Sequence, residues 1–109
     1  MSRSVAEIMS MIPSAFVAEK AQGVEAVVHF KFTGKEAGEW NAVILDGRCE
    51  VAQGIPRSRP TISVSADAAD FVRVATGELD GMQAYMDGKL KITGDILLAP
   101  RLLQLFRVP

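Results

Sequence analysis

One cysteine, one histidine, one tryptophan and one tyrosine are all that the 109 residues contain of those four types. A single thiol, Cys49, excludes an internal disulfide framework and favours a cytoplasmic setting. Paired-cysteine zinc spacing, a serine elbow and a phosphate-cradling glycine loop are all absent. Charge of one sign is lacking too. Twelve Lys and Arg stand against thirteen Asp and Glu, for a net −1, without the basic surplus expected of a nucleic-acid binder. No apolar run approaches the ~18 residues of a membrane-spanning helix. The start, Met1 to Val5, meets Glu7 before any apolar run forms, so it reads as no secretory signal. What is present is 49% hydrophobic residues, enough for one core in one domain over residues 1–109.

The apolar period changes along the chain. Val5, Ile8, Met9, Ile12 and Phe16 recur at helical spacing. Pro13 interrupts them, so the pattern predicts a helix over about residues 3–11 and a second turn from Pro13. From Val24 the period is two: Val28, Phe30 and Phe32 face one way, Val27, His29 and Lys31 the other. Trp40–Leu45 is a second strand, and Asp46-Gly47 a hairpin signal before a third strand carrying Cys49 and Val51. Two prolines break the 54–60 loop. Ile62 and Val64 mark a fourth strand, and Asp67 caps a helix closed by Gly77. Asp80 starts a short helix with Met82, Tyr85 and Met86. Lys89 to Thr93 alternates cleanly, lysines out and Leu90 and Ile92 in. Asp95 opens a terminal helix apolar nearly all round, with Pro100 implying a kink or a late start. Such a helix must be enclosed or must meet something apolar. The fold class is therefore α+β, a five-stranded sheet with one face covered by helices.

Candidate chemistry is sparse. His29 reads as a surface histidine beside Lys31. Cys49 falls on the opposite, buried face as a small core hydrophobe, so a Cys–His pair would need both faces at once. Asp67, Asp70, Asp80 and Asp95 sit near helix starts, where capping explains them better than catalysis.

Two blocks are more specific. Ala69-Asp70-Phe71-Val72-Arg73-Val74-Ala75-Thr76-Gly77-Glu78-Leu79 and Ala84-Tyr85-Met86-Asp87-Gly88-Lys89-Leu90-Lys91-Ile92-Thr93-Gly94-Asp95 resemble the sterol carrier protein (type two) domain family. Trp40 and Asp46-Gly47 stand where that family's second strand and hairpin fall, and the likeness runs from Val5 to Phe106. Asp87, in place of a frequent glutamine, and Pro100 depart from its pattern. The resemblance implies a mixed or antiparallel five-stranded sheet, four or five helices, and an apolar tunnel between the layers. It implies a non-catalytic carrier of a fatty acid, fatty acyl-CoA, sterol-like, isoprenoid or quinone lipid, without metal or cofactor. The C-terminus lacks a peroxisomal tail, which suggests a stand-alone bacterial member in the cytoplasm.

Its lining would draw on Phe30, Phe32, Trp40, Phe71, Met82, Met86, Leu102, Leu103 and Phe106. Spacing alone leaves the methionines as core gap-fillers or as deformable lining. Arg57 and Arg59, on the proline-flanked loop, are candidate head-group contacts, with a plain solvated loop as the alternative. The competing function is an accessory module that docks a lipid- or quinone-handling enzyme, or its own twin, through the last helix. Monomer and homodimer both remain open. Transient membrane contact through the first helix is a third reading, weakened by its few cations.

Overall fold

The computed structural model describes residues 4–106, with the backbone alone at Leu103. Residues 1–3, which include the expected helix start at residue 3, and residues 107–109 lie outside the described residues.

The first helix, α1 (Val5–Ala15), begins in a capping box: the Ser4 hydroxyl accepts from the Glu7 amide, and the Glu7 carboxylate accepts from the Ser4 amide. Two otherwise orphaned amides are thereby satisfied. The Glu36 carboxylate accepts from the Val5 amide at 3.0 Å, which ties the helix start to the turn after β1. Contrary to the expected break, Pro13 lies inside one continuous helix. It falls in the last turn, where only one backbone bond is forfeited before the helix ends. A single turn of 3-10 helix (Ala18–Ala21) leads into the sheet.

The strands are β1 (Ala26–Thr33), β2 (Gly38–Leu45), β3 (Arg48–Gln53), β4 (Ile62–Asp67) and β5 (Leu90–Gly94). They form one sheet in the order β3-β2-β1-β4-β5. All neighbours are antiparallel except β1 and β4, which are parallel. Asp46 and Gly47, at φ 53° and 72°, make the β2–β3 hairpin that the sequence predicts, with the positive φ pair of a primed turn.

Register fixes the two faces, because directly paired residues share one. Val28, Phe30, Ala42, Ile44, Cys49, Ile62, Val64 and Ile92 face inward. Val27, His29, Asn41, Val43 and Ser63 face outward. The 54–60 loop must carry the chain from β3, at one edge, past two strands to β4. It crosses the outer face: the Asn41 side chain donates to the Gly54 carbonyl at 3.0 Å, and Ser58 shares a cleft with Val27, Val43 and Leu45. His29, expected on the surface, is therefore only 7% exposed. Its Nε2 lies 3.1 Å from the Glu39 carboxylate, so its burial leaves no polar atom unmatched.

Helices α2 (Ala68–Ala75), α3 (Gly81–Met86) and α4 (Ala99–Leu103) join α1 on the inner side. Asp67 caps α2 by accepting from Ala69, and Asp80 caps α3 by accepting from Met82, each at 2.9 Å. Asp95 makes no such cap. A 3-10 turn (Ile96–Leu98) intervenes, and α4 starts late with Pro100 in its first turn, where proline loses nothing. Asp70 instead lies in the first turn of α2, 3.9 Å from Arg73.

The expectation that the last apolar stretch is enclosed holds only in part. Leu102 and Leu105 are buried, whereas Ile96 and Leu97 are 49% and 88% exposed. Residues 105 and 106 are pinned by Val17 donating to the Leu105 carbonyl at 2.7 Å, and by Phe16 and Phe106 with ring centres 5.6 Å apart.

Leu105→Ala should lower unfolding free energy by about 3 kcal/mol in urea denaturation, because a fully buried leucine leaves a cavity. Leu97→Ala should change it by less than about 0.5 kcal/mol. Burial pushes the Cys49 thiol up from 9.0 to about 11. The unfolded chain therefore sheds that proton first, so the stability this thiol contributes is complete below pH 9 and lost as pH rises towards 11. The urea midpoint of the wild type should fall over that window relative to Cys49→Ala.

Candidate functional site

Burial is uneven across the inner face of the sheet. On β1 and β2, Val28, Phe30, Phe32, Ala42 and Ile44 are all buried, beneath a helical layer in which α1 packs on β3 and α2. On β4, Ile62 and Ala66 are buried too, but Val64 is only half-buried, as are Leu90 and Ile92 on β5, although all face the same way. Phe71 of α2 and Leu98 pack against the core and are half-buried too. The inner face is thus sealed at its centre and partly uncovered towards its edges, at Trp40 and Val51 on one side and at Leu90 and Ile92 beside β5.

An aromatic cluster backs that surface. Phe71 lies 4.8 Å from Phe32 and 5.7 Å from Phe30, ring centre to ring centre, the latter edge-on. Phe30 and Phe32 are 6.0 Å apart. Alternation places Phe30 and Phe32 on one face of β1. The Asp67 cap fixes where α2 begins, so that Phe71 lands over both. Edge-to-face and offset geometries of this kind add modestly to plain burial. They also make a rigid apolar wall.

The predicted site residues fall into several groups. Phe30, Phe32 and Phe71 form this wall, and Leu102 is buried in the same core. Trp40 is half-buried on the inner face of β2, paired with Phe30. Phe106 packs on Phe16. The side chain of Leu103 lies outside the described residues. Met82 and Met86 are 63% and 73% exposed, so they line no enclosed space in this conformation. Arg57 and Arg59 are exposed on the crossover loop, on the far side of the sheet from the helices. Sequence reasoning did not single out Val64, Ile92 or Leu98 as site residues. The alternation did place Ile92 and Val64 inward, but incomplete coverage leaves no mark in a strand pattern.

Exposed apolar side chains concentrate beside the β5 edge. Among the described residues, Met82, Tyr85, Met86, Ile96 and Leu97 are five of the eight large exposed hydrophobics, and all lie within sixteen residues that bracket β5. Surface apolar groups scattered singly need no explanation, whereas a concentration does.

Titratable chemistry is thin. Among the described residues no group of three His, Cys, Asp or Glu side chains could hold a metal ion. Cys49 and His29 face opposite sides of the sheet. No helix among the described residues is long and apolar enough to cross a membrane.

The chain is similar to hydroxysteroid dehydrogenase-like protein 2 of Xenopus tropicalis, with 32% identity over 101 residues. That stretch is 93% of this chain but only 24% of the relative, so the chain spans about a quarter of it. The sterol carrier protein domain 2 of Helicoverpa armigera has the same fold, with a TM-score of 0.78 at 24% identity, covering 93% of this chain and 84% of that one. Palmitated SCP2L2 of Aedes aegypti gives 0.71 at 22% identity, covering 94% and 93%. Residues 10–107 match the SCP-2 sterol transfer family, and with nearly its whole length inside that match the chain belongs to this family.

Proposed function

We propose that the chain binds one lipid with a long acyl chain, a fatty acid or its CoA ester, on the half-covered inner surface of β4 and β5, and that it carries the lipid without altering it. The observation that carries this reading is the apolar wall of Phe30, Phe32 and Phe71 standing behind inward-facing side chains that the helices leave half open. The palmitated state named for the Aedes aegypti relative supports an acyl chain as the ligand class.

Magnitudes say how the lipid must sit. Burying a methylene contributes about 0.8 kcal/mol, so a sixteen-carbon chain offers roughly 12 kcal/mol when fully enclosed. Covered on one side only, it offers about half of that. Lost translational and rotational freedom costs ~4 kcal/mol or more. Surface adhesion therefore yields little net affinity, and micromolar binding needs the chain enclosed as a tunnel would enclose it. Selectivity then follows chain length and shape more than head group, because Arg57 and Arg59 stand across the sheet.

Mass spectrometry of an organic extract of the purified protein, beside native mass spectrometry of the intact protein, tests this directly. A stoichiometric fatty acid or acyl lipid is the expected finding. Ile92→Asp places a charge on the inward face of β5 and should abolish uptake of a fluorescent fatty acid while leaving the circular dichroism unchanged. Protein that carries no lipid and takes up no fluorescent fatty acid would overturn the reading.

A further inference from the structure

We infer that residues 77–88, which contain α3, form a hinged lid that folds Met82 and Met86 onto a bound acyl chain. The inference rests on the lipid-binding reading and adds to it the element that encloses the ligand. Several independent observations meet in this segment. It is bounded by Gly77 and Gly88, both left-handed at φ 80° and 78°, a conformation glycine enters and leaves without the penalty a Cβ imposes. Among the described residues, every hydrogen bond of the segment closes within residues 73–89. Leu79 donates to Arg73, Ala84 to Asp80 and Lys89 to Ala84. No hydrogen bond therefore ties the segment to the sheet's interior or to α1. It rests on the body through Ala84, which is fully buried, Gly81 beside Val74, and a half-buried Leu79.

The segment nevertheless holds three large side chains out in water. Met82, Tyr85 and Met86 are 63%, 42% and 73% exposed, while α3 packs beside β5 and α2, at the border of the half-covered surface. Methionine has three flexible torsions and a polarisable sulfur, which suit it to grip chains of differing shape. A rigid surface helix gains nothing from two exposed methionines one turn apart. A hinged one gains their burial each time a ligand arrives. Rotation about Gly77 and Gly88 disturbs the two hydrogen bonds that span the hinges, Leu79 to Arg73 and Lys89 to Ala84, and burial of the methionines against the acyl chain must outweigh them to drive closure.

The test uses the full chain with methyl-labelled methionine, a soluble paramagnetic agent and palmitate. Met9, fully buried, and Met11, 43% exposed on α1, serve as internal references. Saturating palmitate, verified by displacement of a fluorescent fatty acid, should cut paramagnetic broadening at Met82 and Met86 severalfold and leave Met11 unchanged. Replacing both with glutamine (Met82→Gln with Met86→Gln) should speed palmitate release about tenfold, affinity changes falling mainly on the off-rate. If palmitate binds but both methionines stay as exposed as before, or release is unchanged in the double variant, the lid is wrong and the binding reading stands. If palmitate fails to bind, both fall. Protection of the methionines by phosphatidylcholine vesicles without fatty acid would also overturn the lid, making α3 a membrane-contact face instead.

Discussion

The parallel pairing of β1 with β4 governs the rest of this structure. The three hairpin-linked strands β1, β2 and β3 leave the chain at one edge of the sheet, and β4 must reach the free side of β1. Parallel neighbours cannot be joined by a tight turn. The chain therefore crosses a face of the sheet, and it crosses the outer one. That route buries His29 beneath the loop and carries Arg57 and Arg59 to the far side. It also leaves the inner face free for helices. The same pairing sets Thr33 beside Asp67, so α2 starts just beyond the end of β1 and drops Phe71 onto Phe30 and Phe32.

Helix placement then divides the inner face unequally. α1 is anchored at its start by its own capping box and by Glu36, and it packs on β3 and α2. The C-terminal stretch is held to the α1 side by the Leu105 carbonyl and the Phe16–Phe106 contact. What remains for β4 and β5 is α2, the short α3 and the 96–98 turn. A six-residue helix that buries only alanine cannot shield an edge strand. The half-covered surface thus follows from where the longer elements are pinned, and a lipid carrier needs such under-filled apolar space.

The strands, and their inward residues on all but β2, were legible because alternation is a local signal that the pleat converts directly into facing; β2 is apolar on both sides, and only its pairing with β1 decides which side is inner. Asp67 and Asp80 were legible as caps for a comparable reason: a carboxylate just before an apolar helical pattern has one obvious use. Asp95 carried the same signature and caps nothing, because Pro100 delays the helix that it was expected to start. Pro13 was misread in the opposite direction. Its cost depends on how many backbone bonds lie beyond it, and only the helix's true end, at Ala15, shows that few do.

By itself the sequence determined the α+β class, the two faces of every strand except β2, which is apolar on both sides, the hairpin at Asp46-Gly47 and the family likeness, since each rests on neighbours within a few residues or on blocks of fixed spacing. Tertiary structure alone decided which apolar side chains are covered. Phe32 and Met86 are both large, apolar and correctly phased for an interior. One lies beneath Phe71 and the other stands in water, because burial depends on what the rest of the chain brings overhead. His29 makes the same point in reverse. Its alternation pointed it away from the core, and a loop arriving from the other edge of the sheet closed over it.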